Sequence, residues 1–295
     1  MQRIIIPLDG SELDDQAIGL GERMAEVFGG TIELVHVLTA TPVLANTFSD
    51  PVSMDRYLSR VAARLSTRFP VRTSVLEGDP TEELLALTAQ TPGTMVVMAT
   101  HGWGGLRRVA FGSIADKLIR EGSAPVAVIR GSARAQVRAP RHLLLALDGS
   151  DLAEQSLSPA IRLAQSYGAE IHLVRVVNAS FSPYLASSFD LSPAEPVLLA
   201  ELADQMHDDA RGYLDEVATS LRRQGIRVSW EVRAGIPGEE IVRAAETSAA
   251  DLIVMSSHGR GGIRRWVLGS VTDMVLRTGS IPLLVIPAKG TDFAK

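Results

Sequence analysis

The chain has 295 residues, long for one domain and comfortable for two. Its 46% hydrophobic and 21% charged residues exclude a disordered, collagenous or coiled-coil chain, and no apolar run approaches the ~18 residues of a membrane span. A net charge of −5 argues against broad binding to nucleic acid or anionic lipid, and the lack of cysteine excludes disulfides, thiolate catalysis and cysteine-held metals.

The N-terminus, Met1-Gln2-Arg3, runs straight into Ile4-Ile5-Ile6-Pro7-Leu8-Asp9-Gly10. That apolar run is too short for a signal-peptide core and lacks a cleavage site, so a cytoplasmic location is expected. In chain order, Ile/Val-rich runs at about 3–8, 31–38, 71–77, 94–100 and 125–130 read as strands buried on both faces. Helical stretches lie between them. After strand one, Leu13, Ala17, Leu20, Met24 and Val27 share a face, with Ser11 as the expected N-cap and Asp14 three residues on.

The second half repeats the first. Ile4–Ser11 returns as Leu143–Ser150, and Thr100-His101-Gly102 returns as Ser257-His258-Gly259. Phe111-Gly112-Ser113-Ile114 matches Leu268-Gly269-Ser270-Val271, and Ala124–Ile129 matches Ile281–Ile286. Gly78-Asp79-Pro80 matches Gly235-Ile236-Pro237. The order is preserved, and the offset grows from 139 to 157, placing about 18 extra residues near 178–206 of the second half. Pro159 falls inside the second copy of the first helix and is expected to kink it or delay its start. Alternating strands and helices with short loops imply parallel sheets with right-handed crossovers. The expected fold is α/β, with two tandem open five-stranded parallel-sheet sandwiches over residues 1–133 and 140–288, joined by an Ala/Arg-rich linker.

In such sheets ligands bind beyond the carboxyl ends of the strands. Two loops in each half carry suitable chemistry there. Asp9 and Asp148 end strand one, where a carboxylate can accept hydrogen bonds from a base amino group or a ribose hydroxyl, or simply shape a turn. After strand four, Gly102…Gly112-Ser113 and Gly259…Gly269-Ser270 combine glycines with a helix start, a pattern suited to phosphate. No Gly-x-x-x-x-Gly-Lys is present, and Lys117 aligns with Met274, so no lysine serves both sites.

These residues resemble the nucleotide motif of the universal stress protein family: Gly, two residues, Gly, nine residues, Gly, then Ser or Thr. The first half has Ala99, Gly102, Gly112 and Ser113, and the second has Ser256, Gly259, Gly269 and Ser270, so the first glycine is replaced in both. The resemblance covers nearly the whole chain. It implies a strand order 3-2-1-4-5 and ATP sites of two parts. Asp9 and Val37 would lie near adenine and ribose, with Gly102, Gly112, Ser113 and Ile114 at the phosphates. The second site would use Asp148, Val176, Gly259, Gly269, Ser270 and Val271. Magnesium can accompany the phosphates, although no acidic cluster marks its place.

His101 and His258, beside the motif, either touch phosphate or ribose or pack the loop. Arg107-Arg108 and Arg264-Arg265 either clamp phosphate or stay solvated. No nucleophile, base and acid come together, so no catalytic residue is expected. Asn178–Pro196, with Phe181, Tyr184 and Phe189, reads as a lid, a partner surface or a disordered insertion. The apolar fifth strands need cover, by pairing within the chain or in a homodimer. The leading expectation is a cytoplasmic, ATP-binding regulator of stress or growth that acts on regulatory protein partners. Its rivals are a slow ATPase and an interaction module without nucleotide.

Overall fold

A computed structural model of the chain describes residues 3–39, 51–100, 112–130, 138–178, 195–259 and 268–288. The chain folds into two compact units. Among the described residues, one holds those through Ala139, Leu268 and the stretch from Ser280, and the other holds those from Pro140 to Gly259 and from Gly269 to Gly279.

In the first unit, β1 (Arg3–Pro7), β2 (Thr31–Leu38), β3 (Val71–Glu77), β4 (Thr94–Thr100) and β5 (Val126–Arg130) alternate with α1 (Asp14–Phe28), α2 (Pro51–Leu65), α3 (Pro80–Ala89) and α4 (Ser113–Glu121). The strand order is β3-β2-β1-β4-β5, and all these pairs are parallel. Consecutive residues Ile4, Ile5 and Ile6, and likewise Met95, Val96 and Val97, are fully buried, because helices cover both faces of the sheet. Glu33, a buried acid in β2, is satisfied by Arg3 Nη1 at 3.0 Å and Ser74 Oγ at 2.8 Å. Asp79 caps α3 by accepting from the Thr81 and Glu82 N–H groups, and Pro80 follows where no N–H is needed.

The second unit repeats the order with β6 (His142–Ala146), β7 (Glu170–Asn178), β8 (Arg227–Gly235) and β9 (Leu252–Ser256), arranged β9-β6-β7-β8 and parallel throughout. Its helices are α5 (Asp151–Glu154), α6 (Leu157–Tyr167), α7 (Glu195–Arg223), α8 (Pro237–Thr247) and α9 (Ser270–Thr278). The last strand, β10 (Leu283–Ile286), lies in the first unit, although the repeat counts it with the second half. It runs antiparallel to β5, with Leu283 opposite Val128 and Leu284 opposite Ala127. The apolar edge of β5 is therefore covered within the chain.

Three local expectations are refined. Ser11 does not N-cap α1: the helix begins at Asp14, and Ser11 Oγ only accepts the Leu13 N–H at 3.3 Å. Its counterpart Ser150 does cap, accepting the Ala153 N–H at 3.2 Å. Pro159 follows a break rather than a kink: the helix divides at Gln155–Ser156 and resumes at Leu157, so the proline sits in a first turn where a missing N–H costs little. Part of the extra length of the second half is helix, since α7 has 29 residues against 15 in α2. Residues 179–194, which include Phe181, Tyr184 and Phe189, lie outside the described residues.

Candidate nucleotide site

In each half, strands one and four are parallel neighbours, β1 with β4 and β6 with β9. Parallel neighbours end at the same edge of a sheet, so the aspartate loop and the Gly-Ser loop leave from one side.

The second half shows the two loops in contact. A Cβ added to Gly259 would collide with Asp148 Oδ2 and lie 3.1 Å from Asp148 Cγ. Glycine permits that approach with the carboxylate in place, whereas a methyl group there would require the carboxylate or the loop to shift. Asp148 is fixed in turn: its Oδ1 accepts the Ser150 N–H at 2.9 Å and the Ser150 hydroxyl at 2.6 Å, and Gly149 makes the turn with φ of 80°. Gly269 is pinned to the end of β9 by its N–H to Ser257 O, 3.0 Å, and Thr272 Oγ1 donates to Ser256 O, 3.0 Å. The first bond of α9 is Asp273 N–H to Gly269 O, 2.9 Å. The N–H groups of Ser270, Val271 and Thr272 precede it, so they have no acceptor within the helix. Glycine at the cap offers no side chain to take them. Those N–H groups and the positive end of the helix dipole suit an anion.

Ser256, which stands where the motif has glycine, is buried at the end of β9. His258 Nδ1 lies 3.0 Å from Ser257 Oγ, which ties the ring to its own loop. Val176 is half-buried near the carboxyl end of β7.

In the first half, Asp9 Oδ1 accepts the Ser11 N–H at 3.0 Å and Gly10 turns with φ of 81°, the same device as in the second half. Gly112 precedes α4, whose first bond is Asp116 N–H to Gly112 O, 3.0 Å; Ser113 and Ile114 open the helix. Ala99 is a half-buried strand residue of β4, and Val37 lies near the end of β2. His101, Gly102 and Arg107-Arg108 lie outside the described residues, as do Arg264-Arg265.

The halves differ beneath the aspartate loop. Asp14 is only 5% exposed, and its carboxylate accepts the Gly10 N–H at 2.8 Å, the Asp9 N–H at 3.3 Å and the Tyr57 hydroxyl at 2.9 Å. Burial, and then the neighbouring Asp9 charge, push its pKa up from 3.8 to about 7; the three hydrogen bonds only partly oppose this. Burial, then the Asp14 charge, also raise the Tyr57 pKa. In the second half the repeat puts Ala153 at the position of Asp14 and Arg175 at that of His36. His36 Nδ1 lies 2.7 Å from Leu8 O, whereas Arg175 stacks over the Tyr213 ring at 5.1 Å. Tyr213 donates to Glu154 Oε1 at 2.9 Å, and burial, then that bond, raise its pKa. A sequence search for chemistry doubled in both halves passes over Asp14, because it occurs in one half only.

The profile of the universal stress protein family matches residues 1–130 and 140–287, nearly the whole chain. The chain belongs to the universal stress protein family. A universal stress protein of Mycobacterium tuberculosis is 26% identical over 301 residues, with 96% of each chain covered. One from Methanocaldococcus jannaschii is 32% identical over 148 residues, half of this chain and 81% of its own. Among solved structures, a universal stress protein from Archaeoglobus fulgidus superposes with a TM-score of 0.66 at 18% identity, covering 98% of both chains. A putative one from Pseudomonas aeruginosa reaches 0.71 at 17%, covering all of this chain and 95% of its own. These likenesses show the fold: two tandem universal stress protein regions, each a Rossmann-like α/β sandwich. No described helix is long and apolar enough to cross a membrane. No cluster of three metal-ligating side chains occurs among the described residues.

Proposed function

We propose that this universal stress protein binds ATP in each half and that occupancy regulates a stress or growth response rather than driving catalysis. The observation that carries this reading is the fit of Gly259 against the Asp148 carboxylate, beside a helix start whose first N–H groups have no acceptor within the helix. A loop built that closely around a carboxylate, next to an anion-favouring helix end, suits a ligand with hydrogen-bond donors at one end and phosphates at the other. Asp148 and Val176 would take the base and ribose, and Gly259, Gly269, Ser270 and Val271 the phosphates. Asp9, Val37, Gly112, Ser113 and Ile114, with Gly102, would do the same in the first half. Ala99 and Ser256 would support the loops as strand ends, and His101 and His258 would hold the loop shape. Magnesium would arrive with the phosphates and neutralise part of their charge. We place the protein in the cytoplasm, with its output a contact to regulatory proteins, and take 1–133 and 140–288 as its functional halves.

The test is the nucleotide content of the purified chain, released by denaturation and identified by chromatography and mass spectrometry. One ATP per half is expected, with Gly112→Glu and Gly269→Glu each removing one. Release of ADP instead, with turnover lowered by each variant and abolished by the two together, would establish an ATPase. No nucleotide and no uptake from added Mg-ATP would overturn the reading in favour of an interaction module.

A further inference from the structure

The strand-one loops turn at the same glycine in the two halves but carry different charge beneath it. Gly10 and Gly149 have φ of 81° and 80°, and the aspartate-to-serine N–H bonds measure 3.0 and 2.9 Å. The second half reaches this shape with Ala153 where the first has Asp14. The glycine turn therefore does not need the Asp14 carboxylate; besides setting the later helix start, Asp14 adds an ionisable group under Asp9 and Gly10. Among the described residues, the groups facing it are Asp9 from the loop, through its N–H and its charge, Gly10 through its N–H, and Tyr57 from α2. Asp15 raises and Arg64 lowers the pKa of Tyr57 in turn. Among the described residues no basic side chain forms an ion pair with Asp14. On the second strand, the first half has His36 turned to a carbonyl oxygen, and the second has Arg175.

We propose that Asp14 makes the first half's site proton-linked: nucleotide is held there while Asp14 is protonated and loosened when it ionises, a linkage that the second half, with Ala153 at that position, lacks. This rests on the nucleotide reading above. The direction follows from charge. An anionic ligand in the crevice disfavours a second carboxylate beside Asp9, so binding draws a proton onto Asp14, and raising the pH opposes binding. The second half has an alanine in place of the acid, and its Arg175 stacks on Tyr213, whose hydroxyl donates to Glu154. A buried carboxyl pushed toward neutrality supports this, since its titration then falls within the physiological range. The universal stress protein so built would read energy charge through both halves and acidity through one.

The experiment measures Mg-ATP affinity of each half by calorimetry at about pH 6 and about pH 8, with the other half disabled by Gly112→Glu or Gly269→Glu. Saturating magnesium keeps the ionisation of the phosphates out of this window. The first half should weaken about three- to tenfold across it, the ceiling for one proton being tenfold per pH unit. The second half should change less than twofold. Asp14→Ala, which copies the second half, and Asp14→Asn should each flatten the profile of the first. Equal slopes in the two halves, or a slope that survives both substitutions, would overturn the proton link. A separate readout needs no ligand: the Asp14 carboxyl carbon, followed by NMR, should titrate near neutrality. If it does so but neither half binds nucleotide at any pH, the nucleotide reading fails and the link falls with it. If it titrates in the ordinary carboxylate range, the link fails alone.

Discussion

Replacing Gly259 by alanine tests the contact on which the site depends. The added methyl group would overlap Asp148 Oδ2 and sit 3.1 Å from Cγ, so either the loop or the carboxylate must move. Moving the carboxylate breaks its bonds from Ser150 N–H and Ser150 Oγ–H, at 2.9 and 2.6 Å. Hydrogen bonds to a charged group contribute about 1.5–3 kcal/mol each, and partial relaxation recovers some of that, so a loss of about 2–4 kcal/mol is expected. The control is Gly112→Ala. Its Cβ would meet Thr100 Cγ2 at 3.7 Å, an ordinary contact, and Gly112 has φ of −57°, which any residue adopts. That substitution should leave stability within about 0.5 kcal/mol. Urea denaturation of the two variants, followed by circular dichroism, measures the difference; nucleotide titration of Gly259→Ala should also show the second half weakened at least tenfold. Equal midpoints for Gly259→Ala and the parent chain, with unchanged affinity, would refute the close approach of the two loops.

Asp14→Ala should change the pH dependence of stability. The folded carboxyl has a pKa raised from 3.8 to about 7, so the folded state keeps a proton that the unfolded chain has lost. That advantage is fully present below pH ~4 and disappears as the pH rises to about 7, with an upper bound of about 4 kcal/mol. The urea midpoint of the parent relative to Asp14→Ala should therefore fall across this window and level off above it. Tyr57→Phe removes a hydrogen bond that holds the Asp14 pKa down; the apparent titration of Asp14 should move further up, with a cost of about 1–2 kcal/mol in equilibrium unfolding. Leu284→Ala truncates a fully buried side chain in β10 and should cost about 2–5 kcal/mol, read by thermal or urea unfolding.

The repeat, the strands and their parallel direction were legible in the sequence because each rests on local pattern, whereas the strand order followed only from the family resemblance. Runs such as Ile4-Ile5-Ile6 and Leu143-Leu144-Leu145 must be covered on both faces, and short βα loops permit little but parallel crossovers. The candidate site was legible in part, because glycine, serine and aspartate at doubled spacings signal loop chemistry. Other features depended on distance between residues far apart in the chain. The match of Gly259 to Asp148 joins two loops more than a hundred residues apart, and the bond from Tyr57 to Asp14 joins α2 to the start of α1. The start of α1 shows the limit most plainly. By local preference Ser11 is the cap, yet three hydrogen bonds to a buried Asp14 place the helix start at residue 14. The partner of β5 was likewise open to a second chain or to this one, and backbone pairing with β10 decided it. Periodicity and motif spacing are carried by neighbours along the chain and could be read directly. Burial, which raises the pKa of Asp14 and sets what the glycines must avoid, is a property of what packs around a residue, and only the folded chain supplies it.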